Sequence, residues 1–288
     1  MIQTMRPDAN GERQQRAAAI AGALQRATIA LRNERPLEAE QIAGEILEVQ
    51  SGHPEATKIA GYALLMQNRA KEAIGPLEKA ARGSRDPEIE TQLAVALRQA
   101  GQSDKAMLWL KRATKRTPPF PAAFHELGYL LHSLRQFDEA VAVLRQGMVI
   151  APMMAEMPVQ LGHVYYANRQ RADACRAFAH ALSINPGNAE AVHGLGSILT
   201  EEGQYAQAAE VFRQAISANP GDALIRIGLG NCLLELGQRD TGYACLRAAT
   251  GMGAEFYGKA LKVLLGSGHG RFWLRPSDAA KFFRGESR

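Results

Sequence analysis

Cysteine is scarce in this chain. Three occur in 288 residues, Cys175, Cys232 and Cys245. They are odd in number and lack paired metal-ligand spacing, which excludes a disulfide framework and a zinc ribbon. They read as small buried side chains in a reducing compartment, which implies a cytoplasmic protein. Aromatic residues are also few, at 6%. No apolar run reaches the roughly 18 residues of a membrane span. The alanine-rich stretch Ala17–Leu31 is interrupted by Gln25 and Arg26, so it reads as a first helix and not as a signal peptide. The glycine-rich Gly266–Gly270 has no preceding strand and no Lys-Ser or Lys-Thr, so it is a hinge and not a phosphate loop. No activated serine or cysteine constellation is visible. His125 and His132 stand two helical turns apart with no acidic pair beside them, too far to chelate one ion together. The expectation is a non-enzyme without cofactor or metal.

What the chain does have is a period. Leu161-Gly162, Tyr165, Ala174, Phe178, Ala181 and Pro186 recur 34 residues later as Leu195-Gly196, Leu199, Ala208, Phe212, Ala215 and Pro220. Self-similarity at a fixed period of this length signals a stacked array. Leu161 and Tyr165 share one helix face, and Phe178 and Ala181 share a face of a second helix. Gly162 and Ala174 leave room for the paired helices to approach. Asn185-Pro186-Gly187 and Asn219-Pro220-Gly221 stop the second helix and turn the chain. Prolines 118, 152, 186 and 220 form a ladder in the same register.

The pattern of small-residue pairs, aromatics on each helix, closing proline and 34-residue spacing resembles the tetratricopeptide repeat of bacterial proteins. The resemblance implies an all-α fold, an α-solenoid superhelix of helix-turn-helix repeats with a concave groove lined by the first helix of each. Extending the register gives a polar lead-in over 1–19. Seven repeats follow, at 20–53, 54–86, 87–120, 121–154, 155–188, 189–222 and 223–256. Residues 257–288 form a capping helix and a basic aromatic tail. In the first repeat Arg26-Ala27 replaces the Leu-Gly pair, and the second repeat is one residue short.

Charge is uneven. From residue 257 onward, seven cations face two acids, which accounts for the whole net charge of +5. The repeats themselves are balanced, which argues against a nucleic-acid groove. Residues 34–55 carry six glutamates against Arg35, so an acidic start and a basic finish favour weak head-to-tail self-association.

By analogy with the repeat family, the groove-facing positions are 2, 5, 9 and 12 of each repeat. They include Tyr62, Arg98, His125, Tyr129, His132, His163, Tyr166 and His193. Histidine and tyrosine offer hydrogen bonds and flat faces to an extended peptide. The expected function is a scaffold or adaptor that binds a protein or peptide segment in that groove. Members of the family clamp acidic chaperone tails with Lys, Asn and Arg on successive first helices. Here Lys58 is followed by Tyr62, Gln92 and Glu126 in those places. Repeats of this type also occur fused to sulfotransferases. The alternative is therefore a non-catalytic accessory subunit docked on such an enzyme through Phe272, Trp273, Arg275, Phe282 and Phe283. The tail aromatics have a second reading, in which they fold back over the end of the array.

Overall fold

The computed structural model describes residues 9–268 and 276–285. Those residues fold as helices and turns, without strands. The helices gather into two compact units divided between Leu134 and Arg135.

The first unit holds α1 (Ala9–Arg32), α2 (Pro36–Val49), α3 (Pro54–Met66), α4 (Ala70–Gly83), α5 (Pro87–Gln99), α6 (Ser103–Ala113) and α7 (Pro121–Ser133). The second holds α8 (Phe137–Ile150), α9 (Glu156–Ala167), α10 (Arg171–Ile184), α11 (Ala189–Glu201), α12 (Tyr205–Ala218), α13 (Ala223–Glu235), α14 (Arg239–Thr250), a 3₁₀ turn (Ala254–Phe256), α15 (Tyr257–Gly266) and α16 (Pro276–Phe283). The first helix runs back to Ala9, so part of the stretch expected as a polar lead-in is helical. Alanine is the best helix former and no proline interrupts 9–32. Ala27 and Ala30 are buried against Ala39 and Ala43, so α1 packs as a first helix although it lacks the Leu-Gly pair.

Local chemistry sets the helix ends. Pro54, Pro87 and Pro121 occupy first-turn positions, where no backbone N–H is needed. Asp86, Asn188 and Asp222 cap with side-chain oxygens: Glu88 N, Ala191 N and Leu224 N each donate to one of them at 2.9 Å. After α10 and α12, Gly187 N and Gly221 N donate to the Asn185 and Asn219 side chains, closing the two Asn-Pro-Gly turns. In the turn after each of α1, α3, α5, α7, α9, α11 and α13 one residue adopts positive φ. These residues are Glu34, Asn68, Gly101, Arg135, Arg169, Gly203 and Gly237. They recur every 34 residues with one interval of 33, so the shortened second repeat is visible in the turns themselves.

Consecutive helices pack as antiparallel pairs within each unit. First helices also touch the next first helix: α1 on α3, α3 on α5, α5 on α7, and then α9 on α11 and α11 on α13. Among the described residues the second helices do not pack on one another to a comparable extent. The side where helices crowd is the inner side of a bend, so α1, α3, α5 and α7 line the inner wall of the first unit. Helices α9, α11 and α13 line that of the second. This is the α-solenoid arrangement.

The seams are filled by small residues and one large one per hairpin. Ala174, Ala181, Ala208 and Phe178 are almost fully buried. At the C-terminal end, α15 and α16 cover the last hairpin: Ala260, Leu264, Phe282 and Phe283 pack with Ala223, Ile227, Leu246 and Ala249. The Phe282 ring stands edge-on to Tyr243 at 5.1 Å, and Arg247 lies over its face at 4.9 Å.

Candidate functional site

The inner wall of the second unit carries a groove. A cavity of about 560 Å³ opens between α9 and α11, lined by His163, Tyr166, Phe178, Glu190, His193, Gly194, Ser197 and Glu201. A neighbouring cavity of about 400 Å³ between α11 and α13 shares His193, Ser197 and Glu201 and adds Phe212, Gly228 and Asn231. The two form one groove across three first helices.

Its floor comes from the outer helices. The Phe178 ring of α10 is 1% exposed. It reaches inward through a gap between Gly162 of α9 and Gly194 of α11. A Cβ at Gly162 would stand 2.6 Å from that ring, and one at Gly194 2.5 Å from it. Phe212 of α12 does the same between Gly196 and Gly228. Real Cβ atoms do not approach so closely, so each phenylalanine needs both glycines.

The polar rim is built one repeat apart. Tyr166 donates its hydroxyl hydrogen to Glu201 Oε1 at 2.8 Å, and Arg171 donates to Glu201 Oε2 at 3.0 Å. The hydrogen bond to Glu201 pushes the Tyr166 phenol up from its ordinary value, aided by burial and by the carboxylate charge and opposed by Arg171. His163 Nε2 lies 2.8 Å from Glu190 Oε1. The contact is off the line of a hydrogen bond, and this solvent-sealed nitrogen has no hydrogen-bond partner. The His163 imidazole also stands edge-on to Phe178, 5.1 Å between centroids. His193 Nε2 is 3.8 Å from Asp222 Oδ2.

In the first unit the inner-wall residues are more tightly engaged. Arg98 of α5 donates to Glu126 Oε2 of α7 at 3.1 Å, and its guanidinium lies 4.6 Å from the centre of the Tyr129 ring. His125 Nδ1 is 3.9 Å from Glu126 Oε1. His132, at the end of α7, is half-buried. Tyr62 lines a cavity of about 390 Å³ with Thr28, Arg32, Lys58, Glu55 and Glu88. Burial, then the carboxylates of Glu88, Asp86 and Glu55, push the Tyr62 phenol far up. Glu88 counts here mainly as a nearby charge, because the buried hydroxyl makes no hydrogen bond of good geometry.

The structure thus brings Arg98, His125 and Tyr129 together on α5 and α7. It brings His163, Tyr166 and His193 together on α9 and α11. Tyr62 stands apart on α3. Three of these histidines have a carboxylate nearby, although the linear sequence shows no acidic pair beside them. The acids sit 27 to 29 residues further on for His163 and His193, and Glu126 directly follows His125. Glu190, Glu201, Phe178 and Gly194 were missed as site residues. The available signal was Gly194 and Gly228, a second glycine ladder that appears only after Phe178 and Phe212.

The docking role expected for Phe282 and Phe283 needs correction. Both are buried, at 1% and 9% exposure, in the cover over the last hairpin, so neither ring is presented to a partner. Phe272, Trp273 and Arg275 lie outside the described residues. Among the described residues, no group of three His, Cys, Asp or Glu is placed to hold a metal ion. No helix there is long and apolar enough to cross a membrane.

Comparison with known proteins agrees with this architecture. One tetratricopeptide repeat model matches residues 24–88 and 159–223, a second matches 121–152 and a third 199–262. No curated protein matches the chain by sequence. Among solved structures, a tetratricopeptide repeat protein from Parabacteroides merdae is similar with a TM-score of 0.60 at 14% identity, covering 85% of this chain and 98% of that one. MamA residues 41 to the end, from Desulfovibrio magneticus RS-1, give 0.50 at 24% identity over 57% of this chain and 93% of that one. The human IFIT1 dimer with m7Gppp-AAAA gives 0.56 at 17% identity over 81% and 60%. At these identities the likeness is one of fold. With its helical hairpins, its turns and the matching models spread along most of its length, the chain belongs to the tetratricopeptide repeat family.

Proposed function

We propose that the chain is a non-catalytic scaffold that binds an extended segment of a partner protein along the inner walls of its units. A tetratricopeptide array supports protein–protein interaction in general, and the inner-wall placement is our reading. The observation that carries it is the groove over α9, α11 and α13. It joins two cavities, has phenylalanine rings at its floor, and is rimmed by half-exposed His163, Tyr166, His193 and Ser197. Such a surface gives apolar side chains a pocket and a peptide backbone hydrogen-bond partners. Tyr62, Arg98, His125, Tyr129 and His132 are the corresponding contact candidates of the first unit.

The test is amide hydrogen exchange on the full chain with and without a peptide selected from a random displayed library. Protection is expected on α9 and α11. A footprint confined to the outer helices α10 and α12 would remove the reading. A Tyr166→Ala/His193→Ala variant with unchanged circular dichroism is expected to lose most of the binding.

A further inference from the structure

The two units present one inner-wall position in two states. In the first unit, position 12 of a repeat is Arg98, and the next first helix carries Tyr129 at its position 9 and Glu126 at its position 6. The guanidinium fills the space between them, hydrogen-bonded to Glu126 at 3.1 Å and 4.6 Å from the Tyr129 ring centre. A cation held between a carboxylate and an aromatic face is a stable arrangement.

In the second unit, between α9 and α11, position 12 is Tyr166. Ser197 and Gly194 stand where Tyr129 and Glu126 do. The protein supplies no arginine or lysine to the lining, and the space is a cavity of about 560 Å³. The other two components are still present. Tyr166 is an exposed aromatic ring, and Glu190 is a carboxylate whose side chain is 65% exposed and whose one ion-pair neighbour among the described residues is His163. Glu201 is already engaged by Tyr166 and Arg171, so Glu190 is the acid left for a ligand.

We propose that this cavity is an arginine pocket: it takes an arginine side chain of the partner peptide, with the guanidinium against Tyr166 and paired to Glu190 and the methylenes over Phe178. The proposal rests on the peptide-binding reading and goes further, because it names the side chain that the groove selects. Glu190 supplies the charge, Tyr166 the flat face that suits a planar guanidinium, and Phe178 the apolar floor.

The test uses the full chain and a random 12-residue phage-displayed library. The strongest binder is synthesised with arginine, with citrulline (the neutral isostere) and with lysine at its enriched position. Affinities are read by fluorescence polarisation on the wild type, Glu190→Gln and Ser197→Arg, each checked by circular dichroism. Arginine is expected to be enriched, and citrulline is expected to bind the wild type about tenfold more weakly. That penalty is expected to vanish on Glu190→Gln. Ser197→Arg, which supplies the cation from the protein as Arg98 does, is expected to weaken the arginine peptide by a similar factor. Binders indifferent to citrulline, or a penalty that persists on Glu190→Gln, overturn the arginine pocket and leave the scaffold intact. Equal binding by the lysine peptide overturns the guanidinium assignment. A library that yields no binder removes both the pocket and the reading beneath it.

Discussion

The first and second units solve the same packing problem with different partners. In the first, the large residue that an outer helix sends toward the inner wall is Leu77 or Leu110, and position 6 of the following first helix is Gln92 or Glu126. In α10 and α12 of the second, those residues become Phe178 and Phe212, and the following position becomes Gly194 or Gly228, whereas Leu144 of α8, followed by Gln160, keeps the first unit's arrangement. Bulk has moved from the inner helix to the outer one. With leucine, the inner wall keeps a polar side chain. With phenylalanine, the wall opens at a glycine and a ring lies beneath it. The repeat fixes where helices lie, and this exchange of volume decides whether the wall is furnished or hollow. A second difference runs along position 4. Glu90 in α5 is fully buried, with Arg116 Nη2 at 2.6 Å and Arg112 Nε at 2.9 Å from its Oε1. The same position in α11 is buried Val192.

The largest expected effect breaks the polar seam of the first unit. Arg112→Ala with Arg116→Ala strands the Glu90 carboxylate at 0% exposure, and an unpaired buried charge costs about 3–5 kcal/mol. Urea denaturation should show that loss. Adding Glu90→Val, which copies the second unit, should restore most of it. If the triple variant is no more stable than the double, the buried charge is not the source of the loss.

Next is the volume exchange itself. Gly194→Gln, which gives the second unit the first unit's residue, forces a side chain into Phe178 and is expected to cost about 1–3 kcal/mol. Phe178→Leu alone should cost about 1 kcal/mol. Together they should lose less than the sum by about 1 kcal/mol, because the smaller floor admits the larger wall. A strictly additive double-mutant cycle would dissolve the pairing. The double variant should also lose the cavity, and with it peptide binding at α9–α11.

A smaller effect appears at alkaline pH. In the first unit, burial and three carboxylates hold Tyr62 protonated well above its ordinary value. The unfolded chain releases that proton near pH 10 and the folded chain keeps it. Stability is therefore fully present below pH 10 and falls as pH rises above it. The urea midpoint is expected to drop between pH 9 and 11, and Tyr62→Phe should flatten that drop. An unchanged slope in the variant would place the alkaline loss elsewhere.

Much of the architecture was legible because it is local and periodic. The Leu161-Gly162 seam, the Asn-Pro-Gly stops and the 34-residue ladder each act within one hairpin, and the helices begin and end beside them. The start of α1 was less legible, since alanine extends a helix without any periodic signal. The site was half legible. Tyr166 and His163 were named from their register, but Glu190 and Glu201 reach them from the next repeat, and their spacing depends on how helices stack. Phe178 read as core, correctly by burial. Its second role as a floor appears only when Gly162 and Gly194 are seen on either side of one ring. The tail aromatics Phe282 and Phe283 gave no sequence signal that separates covering an end from docking a partner. The exposed apolar end of α13 and α14 decides it.

The smallest effect lies in the turns. Positive φ is free for glycine and costs about 1–2 kcal/mol for a side chain with a Cβ, less for asparagine. The first unit places Glu34, Asn68 and Gly101 at such turns, and the second places Arg135, Arg169, Gly203 and Gly237. Arginine has no local hydrogen bond that eases this conformation, so Arg169→Gly should relieve strain, offset in part by the entropy glycine loses on folding. The net gain expected is about 0.5 kcal/mol, a rise of about 1–2 °C in thermal midpoint. Asn68→Gly should gain less, and Gly203→Ala should lose about 1 kcal/mol. If Asn68→Gly stabilises more than Arg169→Gly, turn strain is not what distinguishes the hairpins, and the 33- and 34-residue spacings must be held by packing alone.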